Sequence, residues 1–596
     1  MKSIYKYLCI IPAIAIALSS CTDMNQIPED RMSPETYFRS EAELAQYTNS
    51  FYTLEPNVGD FRWFMESGEL IQHETLPREI AGTRPLPSAA GDVGWNWGTL
   101  RNINYYLQNS SKCTDTYVRN RYDGVAYFFR AFFYYNMLTK FGEVPWYDQP
   151  IGSADTELLC KPRDSRDVII GHIIDDCDRA FDLLLPYGKK TTEICAWTAL
   201  ALKSRATLFE GTFRKYHAGT TFNATSLSGD RLLEICADAS RKLIDEGGYR
   251  LYTDTGEPYR NLFATIEPRA EEVIWARIYG DQVGGRHNAN DESKTRFASM
   301  TKRFANLFLM TDGSRFTDKN GWQTMGYIDE CKNRDPRMAQ SILCPGYKQM
   351  GQDKVQAIAL NYTEGCYQFI KYVMSDDYDA FRQSRASMPI FRLAEVYLNY
   401  AEALAELGTI TQDDIDISVN RLRDRVGMPH LSVADANSTP DPYMMSEEWG
   451  YPNVTRSANT GVILEIRRER LIELSLELVH YNDILRWREG KVYEKPFYGM
   501  YFPGPGKYDL TGDGKANVCI YTGKKPSGIG LKFLEIDKDI FLSEGDKGYA
   551  VRFGSDAFKR TWNENRDYLY GIPTNERSLS NGALSQNPGW NDGLSF

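Results

Sequence analysis

Apolar residues open this chain in one block and afterwards recur at helical spacing. Leu8 to Leu18 forms the block, behind Lys2 and Lys6 and ahead of Ser19-Ser20-Cys21. A charged end, an apolar run and small residues at a cleavage point make a secretory signal peptide, too short to span a membrane. A cysteine directly after the small residues is the lipobox of a bacterial lipoprotein. Acyl chains on Cys21 contribute about 0.8 kcal/mol per buried CH₂, and two or more make a stable anchor. Residues 1–20 are therefore expected to leave as the signal, and residues 22–34, polar and turn-rich, to act as a tether.

The body predicts mostly helix. Ser33-Pro34-Glu35 carries a cap, a first-turn proline and an acidic first turn. Helical spacing follows at Leu100 to Leu107 and Gly124 to Phe141. A helix from Asp164-Ser165 runs to about Leu184, before Pro186. Another opens at Thr191-Thr192-Glu193 and runs through Phe213, and a further one spans Arg231 to Glu246, ended by Gly247-Gly248. Such helix pairs of near-repeat size predict a tetratricopeptide-like stack, each pair burying its face on the next. From 249 to 380 the pattern gives way to loops with strand-like pieces at Val273 to Ile278 and Cys366 to Val373. Helices return at Pro389 to Leu407, Asp413 to Arg425 and Val462 to about Arg488. In the last of these Leu464, Leu471 and Leu478, with Leu474 between, make one apolar stripe. Residues 495–560 read as strands and loops. The expected class is mainly α: a helical scaffold with long loop and short-strand excursions. It divides into a helical-repeat region at 21–250 and a second region at 251–596, interlocked with the first.

The formal net charge is −11, and loss of Lys2 and Lys6 takes it to −13. Phosphate contact needs clustered Lys and Arg, so nucleic acid is excluded as a partner. Aromatic residues make up 13% of the chain, including 38 Tyr and 11 Trp. Some line the core, and the surplus fits a surface that stacks on sugars or peptides. Nine of the 11 cysteines remain after Cys9 and Cys21 are set aside, with no C-x-x-C. That opposes a zinc site and a complete disulfide framework. Exported proteins oxidise accessible thiol pairs, and Cys331 with Cys344 is the pair nearest in sequence.

Catalytic and metal patterns are sparse. Glu477-x-x-His480 with Glu473 is half of a di-iron carboxylate pattern, but no second E-x-x-H exists. Glu465/Arg468 and Arg470/Glu473 read as helix-surface pairs. Asp509-x-Thr511-x-Asp513-Gly514 starts like a calcium loop, yet Ile520 holds the twelfth position where a glutamate belongs. A hairpin turn is expected there; no cofactor is expected, with structural calcium the lesser alternative. G-x-S-x-G, H-E-x-x-H and P-loop patterns are missing from the sequence. Gly94-Trp95-Asn96-Trp97-Gly98 stands apart. In an extended segment its two indoles face opposite sides, so one can enter the core while the other meets a ligand; two core tryptophans is the competing reading.

Several segments, in order along the mature chain, resemble one family. They are Phe129-Arg130-Ala131-Phe132-Phe133-Tyr134-Tyr135 with Lys140-Phe141-Gly142-Glu143-Val144-Pro145-Trp146, and Arg392-Leu393-Ala394-Glu395 through Ala403. Asn420-Arg421-Leu422-Arg423 with Arg425 to Pro429 follows, then Arg468-Glu469-Arg470 through Arg486-Trp487. Tyr568 to Glu576 and Gln586-Asn587-Pro588-Gly589-Trp590 close the series. Together they resemble the SusD/RagB outer-membrane lipoproteins of the Bacteroidetes. Gly571, where proline is common, and Leu478-Val479-His480 depart from the pattern.

The resemblance implies a tetratricopeptide-containing scaffold on the outer face of the outer membrane, lipid-anchored at Cys21. It implies a lid on a SusC-like TonB-dependent transporter and capture of glycans, or in some members peptides, without catalysis. The candidate ligand-binding residues are Trp95, Asn96, Trp97 and Arg101, with Tyr279 and Trp322 from the middle excursion. The rivals are a peptide-capturing member, a tethered glycoside hydrolase, and a helical scaffold without a small ligand.

Overall fold

The computed structural model of the protein describes residues 37–61, 71–72, 76–152, 154–223, 228–254, 256–281, 285–295, 299–360, 365–551 and 560–596. The leader, Cys21, the tether and the helix start expected at Ser33 lie outside these residues. Among the described residues no helix is long and apolar enough to cross a membrane.

The scaffold is a stack of helices. α1 spans Glu41–Asn49, α2 Gly98–Asn109, α3 Thr116–Phe141, α4 Arg166–Leu184, α5 Ala196–Tyr216 and α6 Gly229–Glu246. α3 packs on α4, α4 on α5 and α5 on α6. Local capping sets several boundaries. Ser40 and Glu43 form a reciprocal capping box at α1. Asp115 accepts from Val118 N at 3.1 Å, which starts α3 eight residues before Gly124. Ser165 caps α4 and Ser228 caps α6. Thr191 to Glu193, expected to open α5, instead form a turn. The carbonyl of Thr191 accepts Ala276 N at 2.7 Å, so it serves a neighbouring strand rather than a helix.

That strand is β1, Val273–Arg277, antiparallel to β2, Met388–Arg392. Pro389 was expected to begin a helix; it lies in β2, and α7 follows as Leu393–Leu407. β1 seats the fully buried Trp275 on Phe128 and Phe132 of α3 and on Phe391 of β2. α7 packs on α6 and ends at Gly408, whose φ of 83° only glycine adopts without strain. The helix expected over Asp413 to Arg425 is two pieces, Gln412–Asp416 and Val419–Val426. Cys366 to Val373 makes isolated bridges rather than a strand.

α8 is Thr460–Glu473 and α9 is His480–Arg486. The single helix expected across them breaks at Leu474, and Leu476 and Leu478 take φ values of 64° and 69°. Side chains claim the carbonyls at the break. Tyr259 donates to Glu473 O at 2.7 Å, Arg392 to the same oxygen at 2.7 Å and Lys371 to Ser475 O at 2.7 Å. These donors satisfy the free end of α8. All residues of α8 are buried, so its charges are not surface pairs. Arg470 turns to Asp483 at 2.8 Å, and Glu473 accepts from Arg337, Arg392 and Arg425. Burial alone raises the Glu473 pKa, but Arg425, Arg392 and Arg337 outweigh it and hold the carboxyl below its ordinary range.

Beyond α9 the chain forms small sheets. Gly506–Tyr508 pairs antiparallel with Val518–Tyr521, which runs parallel to Lys532–Glu535. In the intervening turn the Asp509 carboxylate accepts the N–H groups of Thr511, Gly512 and Gly514 at 2.8 to 2.9 Å. All nine cysteines from Cys113 to Cys519 stand as thiols, seven of them buried.

Candidate ligand-binding site

The Trp95–Trp97 segment enters α2 through a local device. Asn96 Oδ1 accepts Gly98 N at 2.9 Å, and Trp97 O accepts Arg101 N at 2.9 Å. Trp95 is buried with its ring 4.9 Å from Phe141, while Trp97 is half-buried. The two indoles meet edge to face, 5.3 Å apart at 76°. Trp97 also stands edge to face with Tyr147 at 5.4 Å. Edge-to-face pairs of this kind fix ring orientation.

The facing wall, residues 145–152, is held from beneath. Tyr147 N donates to Tyr134 Oη at 2.6 Å, and the Tyr134 hydroxyl donates to Pro145 O at 3.2 Å. Buried Asn104 donates to Tyr147 O at 2.8 Å and Gln149 O at 3.3 Å. Arg130 donates to Asn104 Oδ1 at 3.4 Å and grips Asp176 with two bonds of 2.7 Å. A buried bidentate pair thus stands behind the wall. Burial pushes the Tyr147 phenol up to about 12, so it stays a neutral donor.

The third wall is α10, Thr574–Leu579, brought from the far end of the chain. Asn587 donates to Phe141 O at 2.9 Å and Tyr570 O at 2.7 Å, and accepts from Arg163 at 2.7 Å. Those bonds dock the closing segment on the end of α3.

A cavity of about 540 Å³ lies between the three walls. Trp95, Trp97, Tyr147, Arg101, Gln149 and Glu576 line it, with leucines and Ile151 between them. Leu159 and Leu579 at its rim are 48% and 78% exposed. Aromatic faces with a few polar groups suit an amphipathic ligand. Burial raises the pKa of Glu576, the single carboxylate among the described lining residues.

Three sequence candidates, Trp95, Trp97 and Arg101, therefore meet in one cavity. Asn96 is exposed beside it, its amide oxygen committed to Gly98. Tyr279 and Trp322 stand elsewhere. Tyr279 is buried 4.6 Å from the His287 ring, and Trp322 is buried against Trp449 at 5.4 Å and Tyr443 at 5.6 Å. Tyr147, Gln149 and Glu576 were not among the candidates. Only the motif-like stretches before Trp146 and up to Glu576 marked their neighbourhoods.

The model of the SusD family matches residues 271–590, more than half of the chain. The chain belongs to the SusD family. Its relatives include SusD-like protein P2 of Formosa agariphila, 22% identical over 513 residues, covering 81% of this chain and 91% of that protein. A SusD-like protein of Bacteroides fragilis has the same fold, with a TM-score of 0.65, 19% identity and coverage of 95% of this chain and 100% of the other. A SusD-like carbohydrate binding protein of the same organism gives a TM-score of 0.66 at 18% identity, covering 91% and 99%. The SusD-like scaffold expected from the sequence is thus the fold observed.

Proposed function

We propose that this SusD-family protein captures an oligosaccharide at the cell surface and hands it to a SusC-like TonB-dependent transporter. The observation that carries the reading is the cavity beside Trp97, where aromatic faces meet Arg101, Gln149 and Tyr147. Indole faces stack on sugar rings while side-chain amides and guanidinium groups bond their hydroxyls. Capture without chemistry is supported by the lining. Glycoside cleavage uses two carboxyl groups facing one bond, and the described lining offers Glu576 alone. A lipid on Cys21 holds the catcher to the outer membrane, facing outward.

Calorimetry with a panel of oligosaccharides tests the capture. Binding without any release of shortened sugar is the expected result; turnover of the sugar points to a hydrolase instead. Mass spectrometry of the mature N-terminus and protease shaving of whole cells test the anchor. Co-purification with a β-barrel transporter tests the partner.

The exposed Leu159 and Leu579 favour a second reading, a peptide with apolar side chains. Peptide binding in the same calorimeter, with every sugar silent, selects it.

A further inference from the structure

Two thiols from separate segments of the middle excursion meet. Cys331 closes the short helix Tyr327–Glu330, and its N–H donates to Tyr327 O at 3.1 Å. Cys344 lies beyond the next helix, Pro336–Ser341. Its neighbour Leu343 donates N–H to Gln368 O at 2.8 Å, and its own carbonyl accepts Tyr347 N at 3.1 Å. The Tyr327 hydroxyl donates to Leu343 O, which draws the second segment onto the first. A hydrogen bond then joins the Cys331 and Cys344 thiols. A disulfide needs two side chains that are adjacent and aimed at each other, and a hydrogen-bonded thiol pair meets that need.

The segment between the two cysteines is tied to the core. Asp335 N donates to Leu309 O at 2.8 Å, and Ser341 O accepts Ile370 N at 2.8 Å. Arg337 reaches Glu469 at 2.5 Å and Glu473 at 3.0 Å, so this segment supplies one of the guanidinium groups that balance the buried carboxylates of α8. A cross-link between Cys331 and Cys344 closes residues 331–344 into a loop with Arg337 inside it. Loop closure of this kind restricts the unfolded chain.

We propose that Cys331 and Cys344 form a disulfide in the exported protein and so pin the Arg337 segment. The inference rests on the export part of the reading above. One thiolate attacks a sulfur of an external disulfide, such as that of an envelope thiol oxidase, and expels a thiolate. The second cysteine attacks the mixed disulfide and expels the other thiolate. The pair loses two electrons and two protons, and the external disulfide becomes two thiols. Cys344 is buried and Cys331 only partly so, which makes Cys331 the sulfur that meets the oxidant. Burial raises the Cys331 pKa, so thiolate is scarce in the folded chain and the bond closes fastest as the segment folds.

The full mature protein is isolated from the cell envelope, with free thiols blocked at once by iodoacetamide in denaturant. Seven of the nine thiols are expected to be blocked, and tryptic peptides 320–332 and 338–348 to run as one species about 2 Da lighter than their sum. The same chain made in a reducing cytosol is expected to carry nine free thiols and to gain that link on incubation with oxidised glutathione at alkaline pH. The linked protein should have the higher urea midpoint, and dithiothreitol should remove the difference. Cys331→Ser should show the lower midpoint, with no response to dithiothreitol. Nine blocked thiols in the envelope protein, with no link formed by glutathione, overturn the inference. So does a bond from either cysteine to a third one. Equal midpoints with and without reductant overturn the pinning. An envelope protein with free thiols whose pair closes with glutathione supports the pair and removes the export reading instead.

Discussion

Arg392 clamps Glu477 in a two-pronged pair, Nε to Oε2 at 2.6 Å and Nη2 to Oε1 at 2.8 Å, with both side chains buried. Arg392 ends β2 and Glu477 sits in the turn between α8 and α9, so the pair locks the sheet to the helix break. The same guanidinium also reaches Glu473 and Glu272 at 2.8 Å. Arg392→Met strips one charge from a set of buried carboxylates. Breaking a buried pair by removing one partner costs about 3–5 kcal/mol. The urea midpoint of Arg392→Met is expected to fall accordingly, and a midpoint within 0.5 kcal/mol of wild type (about the scatter of a surface change) shows the network to be redundant.

Local chemistry was legible in the sequence; long-range pairing was not. Ser165 before α4 and Gly408 after α7 act through neighbours a few residues away, so their roles could be read directly. The i,i+3 spacing of Glu465 and Arg468 fits a solvated helix face and predicts surface charges. Their burial depends on the rest of the fold enclosing α8, and Glu473 meets Arg337 and Arg392 from the distant middle of the chain. The site divides the same way. Glycines flanking Trp95 and Trp97 exposed that loop to reading, whereas Glu576 arrives from the other end of the chain. Trp322 is a candidate only as part of the middle excursion that the family resemblance points to, and Tyr443 and Trp449, more than 100 residues away in sequence, cover it.

Trp97 and Trp322 therefore separate binding from packing. Trp97→Ala removes a half-exposed face of the cavity and is expected to weaken ligand binding about tenfold or more, with a small change in stability. Trp322→Ala opens a hole among Tyr443 and Trp449 and is expected to cost about 3–5 kcal/mol while leaving affinity unchanged at temperatures where it is folded. Paired calorimetry and urea denaturation check both. Equal losses of affinity in the two variants contradict this division.

Gly490 controls the wall that α10 provides. A Cβ there lies 1.9 Å from Trp562 Cε2, and Gly490 N donates to the Tyr568 hydroxyl at 3.2 Å. Both aromatic residues belong to the closing segment that leads to α10. Gly490→Ala is expected to cost about 1–3 kcal/mol through overpacking and to weaken ligand binding as the wall shifts. Limited proteolysis should cut the variant first within residues 560–596. Cleavage first at another segment shows that Gly490 does not dock this one.

His217 makes stability sensitive to acid. Its ring is fully buried, stacked 4.0 Å from Phe213, with Nε2 2.9 Å from Leu485 O. That contact places the proton on Nε2, and Nδ1 has no hydrogen-bond partner among the described residues. Burial lowers the ring's pKa from 6.5 to about 3, with Arg488 and Arg166 adding to the fall. Between those values the unfolded chain takes up a proton that the folded ring refuses. Stability is therefore full above pH 6.5 and declines as pH drops toward 3, by about 2 kcal/mol at pH 5 from this residue. Glu55 and Glu489, raised by burial to about 7, act in the opposite direction. They are present in both proteins when wild type is compared with His217→Gln, so they cancel. Glutamine keeps a donor for Leu485 O and does not titrate. The variant is expected to be less stable at pH 7.5, and its deficit to shrink by about 2 kcal/mol by pH 5. Urea midpoints at the two pH values measure this, and a deficit that stays constant means His217 is not the group the acid reaches.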